Sequence, residues 1–268
     1  MGTLAVGFFD GVHLGHQAIL EGASAALTFR NHPLSVLAPD RAPRLIMSLD
    51  ERIAAIRLHG VKEVRVLDFT HDLAALSSAA FAARYLKATV RCGANWRFGK
   101  NGEGNPEVLR RLGIPVTVVP YAIYDGAPIS STRIRTALEA GRIEAANAML
   151  GRRWKVEGAI IQGKGEGRKL GYPTINLRPE NSNLRLPYGV YEVSLAGVKA
   201  IANFGLAPTF GEKAWSSPIW EVHVLGGLGG LEGLGGLELV RFLRAEKKFA
   251  SIEDLKRQIA ADCAIIQA

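Results

Sequence analysis

A nearly unbroken apolar run at residues 3–9 (TLAVGFF) passes directly into Asp10-Gly11-Val12-His13-Leu14-Gly15-His16, and a helical pattern, QAILEGASAA, follows at once. An apolar run of strand length offers no polar face to water. It must be covered on both sides, as a strand in a helix-flanked parallel sheet is. Strand, tight turn and helix in direct succession open an α/β unit. The alternation then continues, with strands expected at 25–29, 62–67, 89–92 and 116–120 and helices at 49–58, 77–86, 130–140 and 143–150.

From Arg152 the pattern changes. Short segments at 155–161, 189–195, 199–204, 219–225 and 237–243 alternate in polarity and are separated by Gly, Pro and Asn. That spacing suggests a small antiparallel barrel or sandwich. A closing helix is expected at 252–267, opened by Ser251 with Asp254 three residues on, a variant of the capping box. The fold class is therefore α/β plus mostly β: a Rossmann-like domain with a parallel sheet over 1–150, then a β-barrel domain ending in a helix over 151–268. Residues 226–236 hold seven glycines in eleven positions and read as a surface loop, or more sharply as a ligand lid.

The length of 268 residues and 48% hydrophobic content allow two real cores. The formal charge of +8 favours anionic partners. Residues 1–150 hold 17 basic and 13 acidic side chains and the remainder 16 and 12, so the excess is spread evenly. This argues against a nucleic-acid arm and for small phosphorylated ligands. The two cysteines, Cys92 and Cys263, lie far apart with no CxxC context, which excludes a disulfide framework and a zinc finger and fits a reducing cytoplasm. No apolar stretch is long enough to span a membrane, and the first residues do not read as a signal peptide.

Four segments carry chemistry. In the first, Gly7, Phe9, Asp10, Gly11, His13 and His16 join a strand end to a helix start. His13 and His16, three residues apart, share one face of the first turn. Free N–H groups there attract anions, and two imidazoles can stabilise charge on a transferring phosphoryl group. In the second, Ser131, Thr132 and Arg133 follow Ser130, with Arg135 within the same turn. Alone this is an ordinary helix cap, but paired with the first segment it reads as a second phosphate cradle. Between them, His32 and the pair Asn95 and Arg97 follow expected strands, where open α/β sheets bind ligands.

The third segment is Gly163, Lys164, Gly165, Gly167, Arg168, Lys169, Gly171, Tyr172 and Pro173, a glycine strap with three basic residues. It lacks the Gly-Lys-Ser/Thr ending of a Walker A loop. Thr174 and Asn176 then present two hard oxygen ligands on one side of an extended segment, suited to Mg²⁺ carried on a nucleotide. In the fourth, Glu221 and His223 share one face of a strand while Trp220, Val222 and Val224 take the other. A carboxylate at a barrel mouth can accept a hydroxyl proton in phosphoryl transfer.

These motifs, GxFDGxHxGH, SSTRIR, GxGxGRxLGYPTxN and ExH in this order, resemble the bacterial bifunctional riboflavin kinase/FMN adenylyltransferase (FAD synthetase) family. Arg97-Phe98-Gly99, Leu150-Gly151-Arg152, Gly189-Val190-Tyr191, Asn203-Phe204-Gly205, Pro208-Thr209-Phe210 and the closing Arg244-x-Glu246-Lys247-Lys248-Phe249 extend the match over nearly the whole chain. The resemblance implies a C-terminal riboflavin kinase that makes FMN from riboflavin and Mg-ATP. It also implies an N-terminal nucleotidyltransferase that joins FMN to the AMP part of ATP, giving FAD and pyrophosphate. By the same resemblance Thr174 and Asn176 hold Mg-ATP, Glu221 is the base, and the His13/His16 and Ser131–Arg133 turns bind ATP phosphates. His32, Asn95 and Arg97 fall on the flavin-nucleotide side. The chain departs from the family at Ile175, where the motif has Ala, and at the glycine-rich 226–236. A single-activity adenylyltransferase with a flavin-binding barrel, and a regulator that binds nucleotide or flavin without turnover, are the rival readings.

Overall fold

The computed structural model describes residues 2–163, 165–180, 184–206, 217–227 and 236–267. The chain divides into two compact units, Met1–Arg133 and Ile134–Ala268.

The first unit is built on a five-stranded parallel sheet of β1 (Thr3–Val6), β2 (Ala25–Phe29), β3 (Glu63–Leu67), β4 (Thr89–Gly93) and β5 (Val116–Val119), in the order β3-β2-β1-β4-β5. Between them run α1 (Leu14–Leu20), α2 (Leu34–Leu37), α3 (Leu49–Leu58), α4 (His71–Ala75), α5 (Ser78–Tyr85) and α6 (Pro106–Arg111). The apolar run of β1 is explained by cores on both faces. Leu4 and Val6 pack with Leu27, Val90 and Phe81, while Ala5 packs with Ala26, Leu20 and Ile56. Ser48 and Glu51 close a reciprocal capping box on α3, and Ser77 caps α5. The chain lays β1, β2 and β3 outward on one side, then returns to place β4 and β5 on the other. The point where the order reverses, between β1 and β4, is where open α/β sheets leave a ligand crevice. A two-stranded hairpin, β6 (Ile123–Tyr124) and β7 (Ala127–Pro128), then leads into α7 (Ser131–Glu139).

The second unit contains α8 (Ile143–Leu150) and a closed six-stranded barrel of β8 (Trp154–Ile161), β9 (Ile175–Pro179), β10 (Gly189–Leu195), β11 (Val198–Gly205), β12 (Ile219–Val224) and β13 (Gly236–Ala245). A short helix, α9 (Glu166–Leu170), lies between β8 and β9, and α10 (Ile252–Gln267) closes the chain. The barrel interior is aromatic: Trp220 packs on Tyr191 and Phe204, and Tyr191 on Phe242. On the outer face Val190 and Ile201 meet Cys263 and Ile266 of α10. A bidentate pair from Arg244 to the buried Asp262 pins that helix down. At its start Asp254 bonds the Ser251 hydroxyl instead of reaching the backbone as a full capping box would.

Five barrel strands are expected from sequence and six are present; β9 was hidden inside the Thr174/Asn176 motif. Within 226–236, Gly226 and Gly227 adopt positive φ and Gly236 starts β13, whereas 228–235, the Pro208-Thr209-Phe210 motif and Lys164 lie outside the described residues.

Candidate active sites

The first site forms at the carboxyl ends of β1 and β4. Leaving β1, the backbone turns through positive φ at Phe9 (59°), Gly11 (84°) and Val12 (40°). Positive φ at a β-branched valine is strained, and such strain persists only where the surroundings over-determine it. Phe9 is fully buried, so its ring serves the core and lies edge-on to His16 at 5.4 Å. A side chain at Gly7 would press on that ring, and one at Gly15 would press on His13. His13 caps α1, and its Nδ1 accepts the His16 N–H at 3.3 Å. The proton of a neutral His13 ring therefore sits on Nε2, which is a donor. The two imidazoles stack at 3.6 Å and 17°.

Burial, then the charge of His13, then that of Arg52 hold the His16 pKa well below its ordinary value. His16 is thus neutral at physiological pH, and its buried Nδ1 has no hydrogen-bond partner. Two cationic imidazoles are not what this turn presents.

The Ser131 hydroxyl donates to the Asp10 carbonyl at 2.8 Å, which joins the Ser-Thr-Arg turn to the imidazole turn across 121 residues of chain. Ser130 caps the helix through the Arg133 N–H, and Thr132 is exposed. Two expectations change here. The Asp10 carboxylate is buried and accepts from the N–H groups of Ile46 and Met47, so it shapes the loop. The Arg133 guanidinium donates to the carbonyls of Ala127, Pro128 and Tyr124 and braces the β6–β7 hairpin. Both side chains act on the scaffold, because each is already bonded to backbone.

His32 follows β2. Its Nδ1 accepts the Leu34 N–H, and its ring meets Phe8 edge-on at 4.8 Å. Asn95 and Arg97 follow β4 and are exposed, while Trp96 and Phe98 stack on each other beneath them. Sequence reasoning missed Arg52. This buried side chain of α3 donates to Phe8 O at 3.0 Å, Phe29 O at 2.7 Å and Arg30 O at 3.2 Å. Its guanidinium also lies 4.1 Å from the centre of the Phe8 ring. Burial pulls its pKa down to about 10, opposed by Asp10, so it stays charged. The available signal was an arginine directly after the acidic residue of a capping box and directly before the apolar stretch Ile53-Ala54-Ala55-Ile56.

The second site lies on the outer face of the barrel. Alternation along β9 turns Ile175 inward, in register with Val222, and turns Asn176 outward. The departure at Ile175 is therefore absorbed by the core. Asn176 pairs in register with Glu221 of β12, and Glu221 with Asn203 of β11, making one polar row across three strands. Glu221 lies on the face opposite Trp220, Val222 and Val224. It projects from the outside of the barrel wall, not from its mouth as expected, since the interior is filled by aromatics. Burial raises its pKa. Asn203, part of a matched motif but given no role, is the second residue missed; its signal was in-register placement.

The strap lies against Asn176 at one end of this row and against Thr174 beside it. A Cβ at Gly163 would collide with the Asn176 amide, and one at Gly167 would lie 3.1 Å from Thr174 Oγ1. Gly167 requires glycine because its backbone lies against the Tyr172 carbonyl, whereas at Gly163 the clash is with the Asn176 side chain. Gly165 and Gly171 bound α9 with positive φ, and Arg168 and Lys169 are exposed on it. Tyr172 N–H donates to Gly167 O at 2.8 Å, closing the strap. Among the described residues, no cluster of three His, Cys, Asp or Glu side chains is able to hold a metal by itself. The hard oxygens of Thr174 and Asn176 fit an ion whose remaining ligands come from phosphate and water.

A switch-point crevice lined with imidazoles, on a unit distinct from a barrel with a glycine strap, defines a two-site nucleotide-handling enzyme. Comparison with known proteins places it more narrowly. Residues 2–133 match the FAD synthetase family model and residues 150–268 the riboflavin kinase model. Proteins named bifunctional riboflavin kinase/FMN adenylyltransferase are 33% identical in Bacillus subtilis (97% of this chain, 90% of that one) and 31% in Escherichia coli K12 (97% and 90%). The relative of that name from Pseudomonas fluorescens is 33% identical over 98% of this chain and 91% of its own. A crystal structure described as a macrolide-efflux protein from Streptococcus pneumoniae has a TM-score of 0.86 at 29% identity, covering 98% of this chain and 93% of that one. No helix among the described residues is long and apolar enough to cross a membrane. The chain belongs to the bifunctional riboflavin kinase/FMN adenylyltransferase family.

Proposed function

We propose that residues 151–268 phosphorylate riboflavin and that residues 1–150 adenylylate the FMN so formed. The observation that carries the reading is the placement of Asn176 and Thr174 against Gly163 and Gly167 of the strap, with Asn176 in register with Glu221.

In the barrel, Glu221 takes the proton of the ribityl hydroxyl as its oxygen bonds to the γ-phosphorus of ATP, and ADP leaves. The raised pKa of Glu221 favours this, since a base close to the working pH transfers protons best. Gly163, Lys164, Gly165, Gly167, Arg168, Lys169, Gly171, Tyr172 and Pro173 wrap the triphosphate, and Thr174 and Asn176 hold Mg²⁺ on it. Mg²⁺ supplies charge neutralisation on the phosphate oxygens.

In the α/β unit, an FMN phosphate oxygen attacks the α-phosphorus of ATP and pyrophosphate leaves. The attacking group is already an anion, so positioning and charge stabilisation suffice. His13 donates through Nε2. His16 is held stacked on it as a neutral ring. The Ser131–Arg133 turn, Gly7 and Gly11 shape the phosphate path. His32, Asn95 and Arg97 contact the flavin nucleotide or the rest of ATP. The ligands are small molecules, and the buried free thiols Cys92 and Cys263 support a reducing, cytoplasmic setting.

Incubation with riboflavin, ATP and Mg²⁺, with products separated over time, tests this. FMN followed by FAD is expected. FMN alone removes the adenylyltransferase assignment, and binding without turnover favours a regulator.

A further inference from the structure

We infer that His223 is a positioning residue that sets the Thr174 arm of the barrel site; the inference rests on the kinase reading above. His223 stands two residues beyond Glu221 on β12, on the same outward face. Its Nδ1 lies 2.9 Å from the carbonyl oxygen of Pro173. A carbonyl only accepts, so Nδ1 carries the proton and donates. The ring also meets Tyr172 edge-on at 5.3 Å and 82°.

Pro173 has no N–H, so its carbonyl is the one hydrogen-bonding group its backbone offers. Fixing that carbonyl fixes the plane of the peptide that leads into Thr174. On the strap side Gly167 leaves no room for a side chain next to Thr174: a Cβ there would lie 3.1 Å from Oγ1 and 3.2 Å from Cγ2. Thr174 is thus held between a glycine of the strap and a histidine of β12. One strand thereby carries the base, Glu221, and the anchor for the phosphate-binding arm. Their separation is set by two residues of β-structure, so the hydroxyl to be deprotonated and the phosphoryl group share one frame.

Two substitutions separate this role from packing. His223→Asn keeps an N–H close to the Nδ1 position, while His223→Phe keeps a ring against Tyr172 but cannot donate. For riboflavin phosphorylation, His223→Phe should raise KM for ATP about tenfold, the scale of one lost hydrogen bond to an ordered arm. KM for riboflavin and the adenylylation of supplied FMN should not change, and His223→Asn should restore most of the ATP affinity. Amide hydrogen exchange over 172–176, measured without nucleotide, should quicken in the Phe variant and not in the Asn variant.

A purely structural role would lower the active fraction, seen as a fall in kcat at constant KM in both variants; that result overturns the inference. So does a Phe variant with wild-type KM for ATP and wild-type exchange. If the unaltered protein makes no FMN, the kinase reading fails by itself, and the exchange experiment still decides whether His223 holds the arm.

Discussion

In the proposed function both sites grip triphosphate, and they are built by opposite means. In the α/β unit the grip is made of side chains held hard in place. Two stacked imidazoles, a buried Arg52, a buried Asp10 and a backbone at positive φ through Phe9 and Val12 fix one another. In the barrel it is made largely of missing side chains. Gly167 lets one backbone lie on another, Gly163 leaves room for the Asn176 amide, and Thr174, Asn176 and Glu221 supply the few polar atoms. The first design stores desolvation and strain and should be sensitive to stability and pH. The second is regular β-structure with a strap laid over it and should be sensitive chiefly to added bulk.

The sharpest separation is expected from Glu221→Gln. Riboflavin phosphorylation should fall by about 10²–10⁴, the usual contribution of a general base, while FMN adenylylation is unaffected. The same change should stabilise the barrel at pH 7. The folded-state pKa of Glu221 lies above its unfolded value, so the unfolded chain loses this proton more readily and the charged form burdens the fold. The gain should vanish below the unfolded pKa of about 4.3, which calorimetry at pH 7 and pH 4 measures.

Arg52→Met should act on the other unit. Three backbone carbonyls lose their donor, for a loss of about 3 kcal/mol in that unit's unfolding free energy by urea titration, given the usual cost of orphaned buried groups. The barrel's kinase activity should persist. If Arg52→Met leaves the first transition in place, the picture of a side-chain-built site is wrong. Gly167→Ala inverts the test. The added methyl meets the Tyr172 carbonyl, so KM for ATP in the kinase reaction should rise about tenfold, from overpacking costs of 1–3 kcal/mol, with the first unit unmoved.

The smallest effect is the pH response of the α/β unit. Because His16 is held well below its ordinary pKa, the unfolded chain takes up a proton that the folded one refuses. Stability should therefore be intact above about pH 6.5 and decline as pH falls from there. His16→Asn should flatten that slope, as urea midpoints at pH 7.5 and 5.5 would report.

Much of this arrangement was legible in the sequence. The continuous apolar run of β1 requires two covered faces, and Leu4 and Ala5 indeed serve opposite cores. Pairing of the His13/His16 and Ser131 turns was legible from residue type and is realised by one hydrogen bond to Asp10. What escaped depended on tertiary context. Asp10 and Arg133 carry charges suited to a ligand, and only the fold shows backbone groups already saturating them. Arg52 looks like any helix-surface arginine until β1 and β2 end on top of it. Glu221 and Asn176 are 45 residues apart and become neighbours only through antiparallel register, and β9 shows in the sequence as a polar Thr/Asn motif more plainly than as a strand.

The central claim is that each unit holds one complete site and that free FMN links them. Mixing His13→Ala with Glu221→Gln, then supplying riboflavin, ATP and Mg²⁺, tests it most directly. His13→Ala alone should stop at FMN, Glu221→Gln alone should make almost nothing, and the mixture should recover FAD. A mixture that yields no more FAD than the two variants apart would contradict the account.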